Sequence, residues 1–458
     1  MPEQSIDQLK SAFRGDLIQS SDADYESACK LYNGMIKKRP RLIARCVDVA
    51  DVIAAVKFGN ANGMLTAIRG GGHSGAGLGS CDDGLVIDVS RMKGIRVDPA
   101  TKTVRVGAGC VWGDVDHATH AFGMATPCGF ISTTGVAGLT LGGGIGYLTR
   151  KYGLTIDNLL SVDMVLADGS FVSASNKENP DLFWAVRGGG GNFGVVTSFE
   201  FRLHPVDTVQ FGPTFWPLEE SAMVLRAFRD FIKKASEEIS GFFAYLVIPP
   251  APMFPEHLHL KKVCGIVWCC TASAEQTEIA LKPMQSLGHP LLHHVGPAPF
   301  PAVQSIFDGL FVPGLQWYWR ADNFTELTDE AIAKHAEHGA KVPTMLSTMH
   351  LYPVNGAAQR VSKNDTAYSF REALFAEVIV GVDPDPANAE KITKWCKDYW
   401  EALHPYSAGG AYTNFMMDEG QERIQASYRD NYQRLAAIKK KYDPKNFFRV
   451  NQNIRPAA

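Results

Sequence analysis

Arg69-Gly70-Gly71-Gly72-His73-Ser74-Gly75 is the stretch on which the fold turns. It matches the dinucleotide pattern G-x-G-x-x-G, and so does Gly189-Gly190-Gly191-Asn192-Phe193-Gly194. In a Rossmann fold a helix must open directly after the glycines, because its N-terminus holds the pyrophosphate. Neither run is followed by one. The first continues through Gly77 and Gly79 into Asp82-Asp83-Gly84 and a strand-like segment, and the second enters the strand-like VVTSFEF. The Rossmann reading is therefore rejected. Loops of bare backbone N–H groups still cradle phosphate oxygens without a helix, and Arg69 stands where it could add a charge-assisted contact. Three glycine clusters (70–79, 135–146 and 188–194) point together to a dinucleotide other than a nicotinamide one, although any single glycine is explained as well by a tight turn.

Outward from these loops, strand-like runs cover Leu65 to Ile68, Leu85 to Val89, Val104 to Val106, Val162 to Leu166 and Val195 to Phe201. Helical periodicity covers Val49 to Asn62 and Gly113 to Ala121. His204-Pro205 marks a boundary, after which glycine thins and aromatics rise. Strands are expected over 242–248, 263–270, 315–320, 344–352 and 374–382, and helices over 222–235, 274–287, 329–338 and 387–403. The whole predicts an α+β chain whose second part is an antiparallel sheet backed by helices, with a helical tail from Gly420 to Lys441.

At 458 residues the chain has material for two or three domains and for burying a large cofactor. A net charge of -3 argues against a nucleic-acid binder. No secretory signal or membrane-spanning run is apparent. Nine cysteines, an odd number without a C-x-x-C pair, argue against a disulfide framework or zinc site; no metal is expected, and a reducing, cytoplasmic setting is.

The sequence resembles the berberine-bridge-enzyme-like flavoproteins of the vanillyl-alcohol-oxidase superfamily, which have the PCMH-type FAD-binding fold. The resemblance rests on RGGGHS (69–74), GVAGLTLGGGIG (135–146), KYGLTIDN (151–158), DLFWAVRGGGGNFGVVT (181–197), YTNF (412–415) and YDPKNFFRVNQNI (442–454). It implies an FAD-binding domain over 1–205, a substrate domain over 206–414, and a segment over 415–458 returning to the first domain. It also implies FAD joined covalently through His73, which on the residues alone is equally a hydrogen-bonding loop histidine. Cofactor contacts are implied for Arg69, Gly70, Gly71, Gly72, His73, Ser74, Thr133, Thr134, Gly135, Gly138, Gly142, Gly143, Gly144, Tyr147, Asp157, Asn158, Val195, Asn414, Asn451 and Asn453. Many relatives carry a second, cysteinyl link. Here Ile131 takes that position and Cys128 lies three residues upstream, so a single link is expected.

The activity implied is hydride abstraction from a small organic substrate to flavin N5, with dioxygen reoxidising the flavin to give hydrogen peroxide. A small residue, Thr134, at the position that gates oxygen favours an oxidase. The alternatives are a dehydrogenase with another acceptor and an oligosaccharide oxidase. Three residues are candidate bases. Tyr412 is the family's tyrosine, or else a core aromatic. Glu377 is a lone carboxylate in an apolar strand, or else an ion-pair partner of Arg371 or Arg320. His350 is a strand histidine, or else a satisfied core residue. Tyr318 and Arg320 are expected to line the pocket. The sequence assigns no oligomeric state.

Overall fold

Hydrophobic runs separated by glycine turns fold into three large sheets and one two-stranded ribbon, Met124–Ala125 with His204–Pro205, in the computed structural model, which describes residues 5–458. The first sheet has the order Asp16–Ile18, Leu42–Arg45, Leu85–Asp88, Thr66–Arg69. Leu85–Asp88 has a parallel partner on each side, and all four of its residues are buried, as a strand covered on both faces requires. Helix Val49–Ala61 supplies a cover. It starts where the Asp48 carboxylate accepts the Asp51 N–H, and it ends before Gly63, whose φ of 59° an L side chain resists.

The second sheet is antiparallel, in the order Ile95–Asp98, Thr103–Gly107, Val195–Arg202, Leu159–Val165, Phe171–Ser175. Its central strand leaves Gly194 directly, with only a single tight turn, Gly190–Asn192, before it. Gly70–Gly75 likewise runs into turns. Neither glycine run opens a helix, in keeping with the rejection of the Rossmann pattern.

The third sheet is the largest. Its order is Leu292–His293, Thr208–Pro217, Lys262–Cys270, Gly241–Val247, Thr348–Pro353, Phe375–Asp383, Gln316–Phe324, and every neighbouring pair is antiparallel. Helices Ser221–Lys234, Asp329–Gly339 and Ala389–Leu403 cover one face. The opposite face turns toward the glycine-rich half, so this sheet too is buried on both sides, and all nine residues of Phe375–Asp383 are inaccessible. The α+β architecture expected from the sequence is the one observed.

Several elements lie outside expectation, among them strands Asp16–Ile18, Leu42–Arg45, Ile95–Asp98 and Phe171–Ser175, and two features of the second half. Strand Thr208–Pro217 was not foreseen, because Gly212 and Pro213 read as punctuation. At Gly212 (φ 144°) the neighbouring chain comes so close that a Cβ would meet the His294 carbonyl oxygen at 1.8 Å. The tail is two helices, Gln421–Tyr428 and Asn431–Tyr442, broken at Arg429 with φ 47°. The second helix is locked to the glycine-rich half by Lys439. Its buried ammonium reaches the Asn192 carbonyl at 2.6 Å, Asp443 at 2.7 Å and the Phe448 carbonyl at 2.8 Å.

Candidate functional site

The three glycine clusters converge on one cavity of about 360 Å³, a volume in the range of small-molecule sites. Glycine is needed there for close approach. A Cβ on Gly71 would strike the Gly135 backbone at 2.6 Å, and one on Gly135 would strike Gly71 at 2.5 Å, so the first two loops touch main chain to main chain. Gly72 adds a φ of 71°. Gly138 and Gly191 also line the cavity, and a Cβ on either would meet no protein atom within 4 Å. From the tail, Asn451 lines the same space, its Nδ2 donating to the Gly191 carbonyl at 3.2 Å. The Asn451 Oδ1 and the Tyr428 hydroxyl are buried there without a hydrogen-bond partner. A floor of bare backbone with unpaired polar atoms at its rim fits a dinucleotide such as FAD.

His73 stands in the wall. Its ring stacks on Tyr32 with 3.8 Å between centroids, and Nε2 lies 3.2 Å from the Thr133 hydroxyl. Burial pushes the imidazole down to about 4, so it is neutral at physiological pH and keeps a nucleophilic lone pair. Arg69 also lines the cavity, but its guanidinium is held by Asp88 at 2.8 Å and by the Ala28 carbonyl at 2.7 Å. Its charge is neutralised within the protein instead of being offered to a phosphate, which corrects the role expected for it. Ile131 lines the cavity. Cys128 does not; its Sγ accepts from Gln304 Nε2 at 2.7 Å, outside the wall.

Against the second glycine loop, Tyr412 is held by two donors. Gly144 N–H reaches its hydroxyl at 2.9 Å and Asn414 Nδ2 at 2.7 Å, while Asn414 also donates to the Leu139 carbonyl. Both N–H groups would favour a phenolate, but burial outweighs them and pushes Tyr412 up to about 12. Tyr412 is thus a neutral phenol whose lone pairs are occupied and whose proton is free to be donated into the cavity.

His350 also faces the cavity, from strand Thr348–Pro353, and is part of a chain of hydrogen bonds. The Thr348 hydroxyl donates to the Tyr245 carbonyl at 2.8 Å. Having spent its proton there, Thr348 can only accept from His350 Nε2, 2.9 Å away. His350 Nδ1 therefore carries the lone pair and accepts from the Tyr352 hydroxyl at 2.5 Å. Burial keeps this imidazole neutral, at about 3.

Three expected residues lie elsewhere. On Phe375–Asp383 it is Val378 and Val380 that face the cavity; Glu377 points the other way, into the helix layer, 3.8 Å from His335. It pairs with neither Arg371, which binds Asp157, nor Arg320, which binds Glu419, and both of its oxygens lack a hydrogen-bond partner. Burial pushes its carboxyl well above the usual range, which favours the neutral acid. On Gln316–Phe324 the wall comes from Trp317 and Trp319, while Tyr318 and Arg320 face helix Ala389–Leu403. The cause is the same in both strands: neighbours along a strand point to opposite faces.

Other expected contacts support the cavity from behind without lining it. Gly144 anchors Tyr412, and a Cβ on Gly142 would collide with Asn414 at 2.3 Å. Gly143 (φ 134°) packs under Tyr368 and Tyr412. Tyr147 sits edge-on to Phe130. Asp157 ties Arg371 to the Leu154 N–H, and Asn158 ties the Tyr152 and Leu154 carbonyls together. Val195 lies between the lining residues Gly194 and Val196. The Asn453 carbonyl accepts from Gln421. Ser74, Thr134 and Gly70 line the cavity. Sequence reasoning missed Tyr32, Thr348 and Tyr352. The signal for the last two was the polar alternation Thr348, His350, Tyr352 on one strand face.

Two family models match the chain, "FAD binding domain" over residues 40–175 and "Berberine and berberine like" over residues 411–455. An FAD-linked oxidoreductase of Dictyostelium discoideum is 30% identical over 456 residues, covering 99% of this chain and 97% of the relative. (R)-6-hydroxynicotine oxidase of Paenarthrobacter nicotinovorans is 28% identical, with 97% of each chain covered. Among solved structures, 6-hydroxy-D-nicotine oxidase from Arthrobacter nicotinovorans superposes with a TM-score of 0.87 at 25% identity, covering 99% of this chain and 100% of that one. Physcomitrella patens BBE-like 1 gives the same figures. With the glycine-floored cavity and the tail that closes it, these likenesses make the chain an enzyme, and it belongs to the berberine-bridge-enzyme-like FAD-linked oxidoreductases.

Proposed function

We propose that this enzyme holds FAD covalently through His73 alone and oxidises a small organic molecule with dioxygen as the final acceptor, releasing hydrogen peroxide. The observation that carries the reading is the neutral imidazole in the cavity wall, oriented by Tyr32 and Thr133. Bound FAD supplies a two-electron acceptor. Ile131 at the wall, with Cys128 turned away to Gln304, supports a single linkage. The small side chain of Thr134 at the cavity supports access for oxygen, and the similarity to a nicotine oxidase favours oxidase over dehydrogenase chemistry. Tyr412 donates its proton to a substrate oxygen and fixes the substrate's orientation, and His350 belongs to the group that accepts the proton the substrate loses. We place the FAD-binding domain over 1–205 together with 415–458, and the substrate domain over 206–414. Nine unpaired cysteines favour a reducing compartment such as the cytoplasm.

The test is direct. Denatured enzyme should keep flavin fluorescence on a gel, and His73→Ala should lose it while still binding FAD reversibly. Colour stripped from the wild type by acid precipitation refutes the covalent link. Peroxide formed in air separates an oxidase from an enzyme that turns over only with an artificial acceptor under nitrogen.

A further inference from the structure

We propose that the inner end of the cavity selects an uncharged, flat aromatic alcohol, and that Tyr352 accepts the proton of its hydroxyl. The inference deepens the oxidase reading above and rests on it.

Charge is the first filter. Among the described residues that line the cavity only Arg69 is charged, and Asp88 neutralises it. A cationic ligand finds no carboxylate and an anionic one no free arginine or lysine, so either would be buried without a counter-charge. Shape is the second. Phe130, Trp317, Trp319 and Phe415 present ring faces and edges beside the small apolar Val378 and Val380. Phe130 stacks on Tyr352 with 4.0 Å between centroids, and Tyr352 approaches Phe415 at 5.9 Å. Such walls hold a planar ring by stacking. A sugar would need a polar partner for each of several hydroxyls, and here Thr348 and His350 are already committed to each other.

Direction of hydrogen bonding is the third filter. Because the Tyr352 proton points at His350 Nδ1, the remaining lone pair of the Tyr352 oxygen is all it offers the cavity. Tyr412 offers the complementary O–H. A ligand hydroxyl satisfies both, giving its proton toward Tyr352 and accepting from Tyr412. In the reaction the alcohol proton passes to the Tyr352 oxygen while the Tyr352 proton passes to His350 Nδ1. FAD, when bound, would supply the acceptor for the hydrogen and electron pair of the carbinol carbon as the C–O single bond becomes a carbonyl. Buried His350 is a weak base, but the hydroxyl becomes strongly acidic as the hydride departs, so the two transfers proceed together.

The test uses the holoenzyme and ligands that bind without reacting, read by the perturbation of flavin absorption. 2-Naphthol should bind about 10-fold more tightly than 2-methoxynaphthalene, which lacks the proton. It should also bind more tightly than cellobiose or naphthalen-2-yl-trimethylammonium. In Tyr352→Phe the preference of naphthol over its ether should fall to within about twofold. Equal or tighter binding of the sugar or the cation, or a preference that survives in Tyr352→Phe, overturns the proposal. If that variant does not fold, a wild-type preference under about twofold overturns it. Turnover is read separately, as peroxide from 2-naphthylmethanol. The predicted binding order without peroxide supports the pocket assignment while sinking the oxidase reading.

Discussion

Replacing Glu377 by Gln should stabilise the enzyme, and by more as the pH rises. The carboxyl is 0% exposed, its two oxygens have no hydrogen-bond partner, and its cross-strand neighbour is the buried carboxyl of Asp322. Desolvation, with repulsion from Asp322 added, raises its pKa well above the usual value. A carboxyl whose folded pKa is raised weakens the fold increasingly as pH climbs above its unfolded value, because the unfolded chain ionises and the folded one does not. Between those limits folding takes up one proton, so wild-type stability falls by about 1.4 kcal/mol per pH unit relative to a non-titrating isostere. The window from pH 7 to 8 isolates this effect. His335 beside it is held down at about 3, and a free histidine is already largely neutral there, so the imidazole adds little slope. Urea titrations of wild type and Glu377→Gln at pH 7 and 8 should show the gap widen, by up to about 1.4 kcal/mol. Steady-state rates should stay within about twofold, since the side chain faces away from the cavity. A gap that stays constant across the window would mean an ionised carboxylate and refute the reasoning. A large loss of kcat would return Glu377 to the reaction.

Tyr412→Phe removes the acceptor of the Gly144 and Asn414 N–H groups and the proton offered to the substrate. We expect kcat/KM to fall by roughly 10²-fold with the linked flavin retained on gels; an unchanged rate would assign Tyr412 to packing. Asp443→Ala leaves the Lys439 ammonium buried without its counter-charge and frees the Phe447 and Phe448 N–H groups. A loss of about 3–5 kcal/mol, read by urea unfolding together with lowered flavin content, is expected. A loss below about 1 kcal/mol would show that the lock is solvated.

The glycine loops were legible because their requirement is local: Gly71 against Gly135 is a contact that no side chain permits, and Gly72 a conformation few residues adopt. The parity of the strands that wall the cavity was not. In a sheet open on one side, polar residues mark the solvent face. Here both faces are buried, so Trp317-Tyr318-Trp319-Arg320 reads equally well in either phase. Glu377 drew attention as an ionisable residue, yet it lies in the helix-facing core beside Asp322 and His335. Tyr352 drew none, because a tyrosine among apolar neighbours looks like packing until its hydroxyl is seen on His350. Tyr412 was placed by the YTNF motif, but of the two N–H groups that hold it only that of Asn414 is local; the other belongs to Gly144, 268 residues away, and Asn414 is itself fixed by the Leu139 carbonyl, 275 residues away.

The Lys439 lock has a consequence for biosynthesis. Gly191 and Asn451 are joined across 260 positions, and the Ile454 N–H closes on the Asn192 side chain. A ribosome delivers the first two glycine loops, and then the third, long before it delivers the strap that fastens them. A nascent chain emerging in order therefore exposes an unfinished nucleotide cradle for most of its translation. Closure of the cradle therefore waits on residues 439–454, and a polypeptide interrupted before them leaves the third glycine loop unfastened.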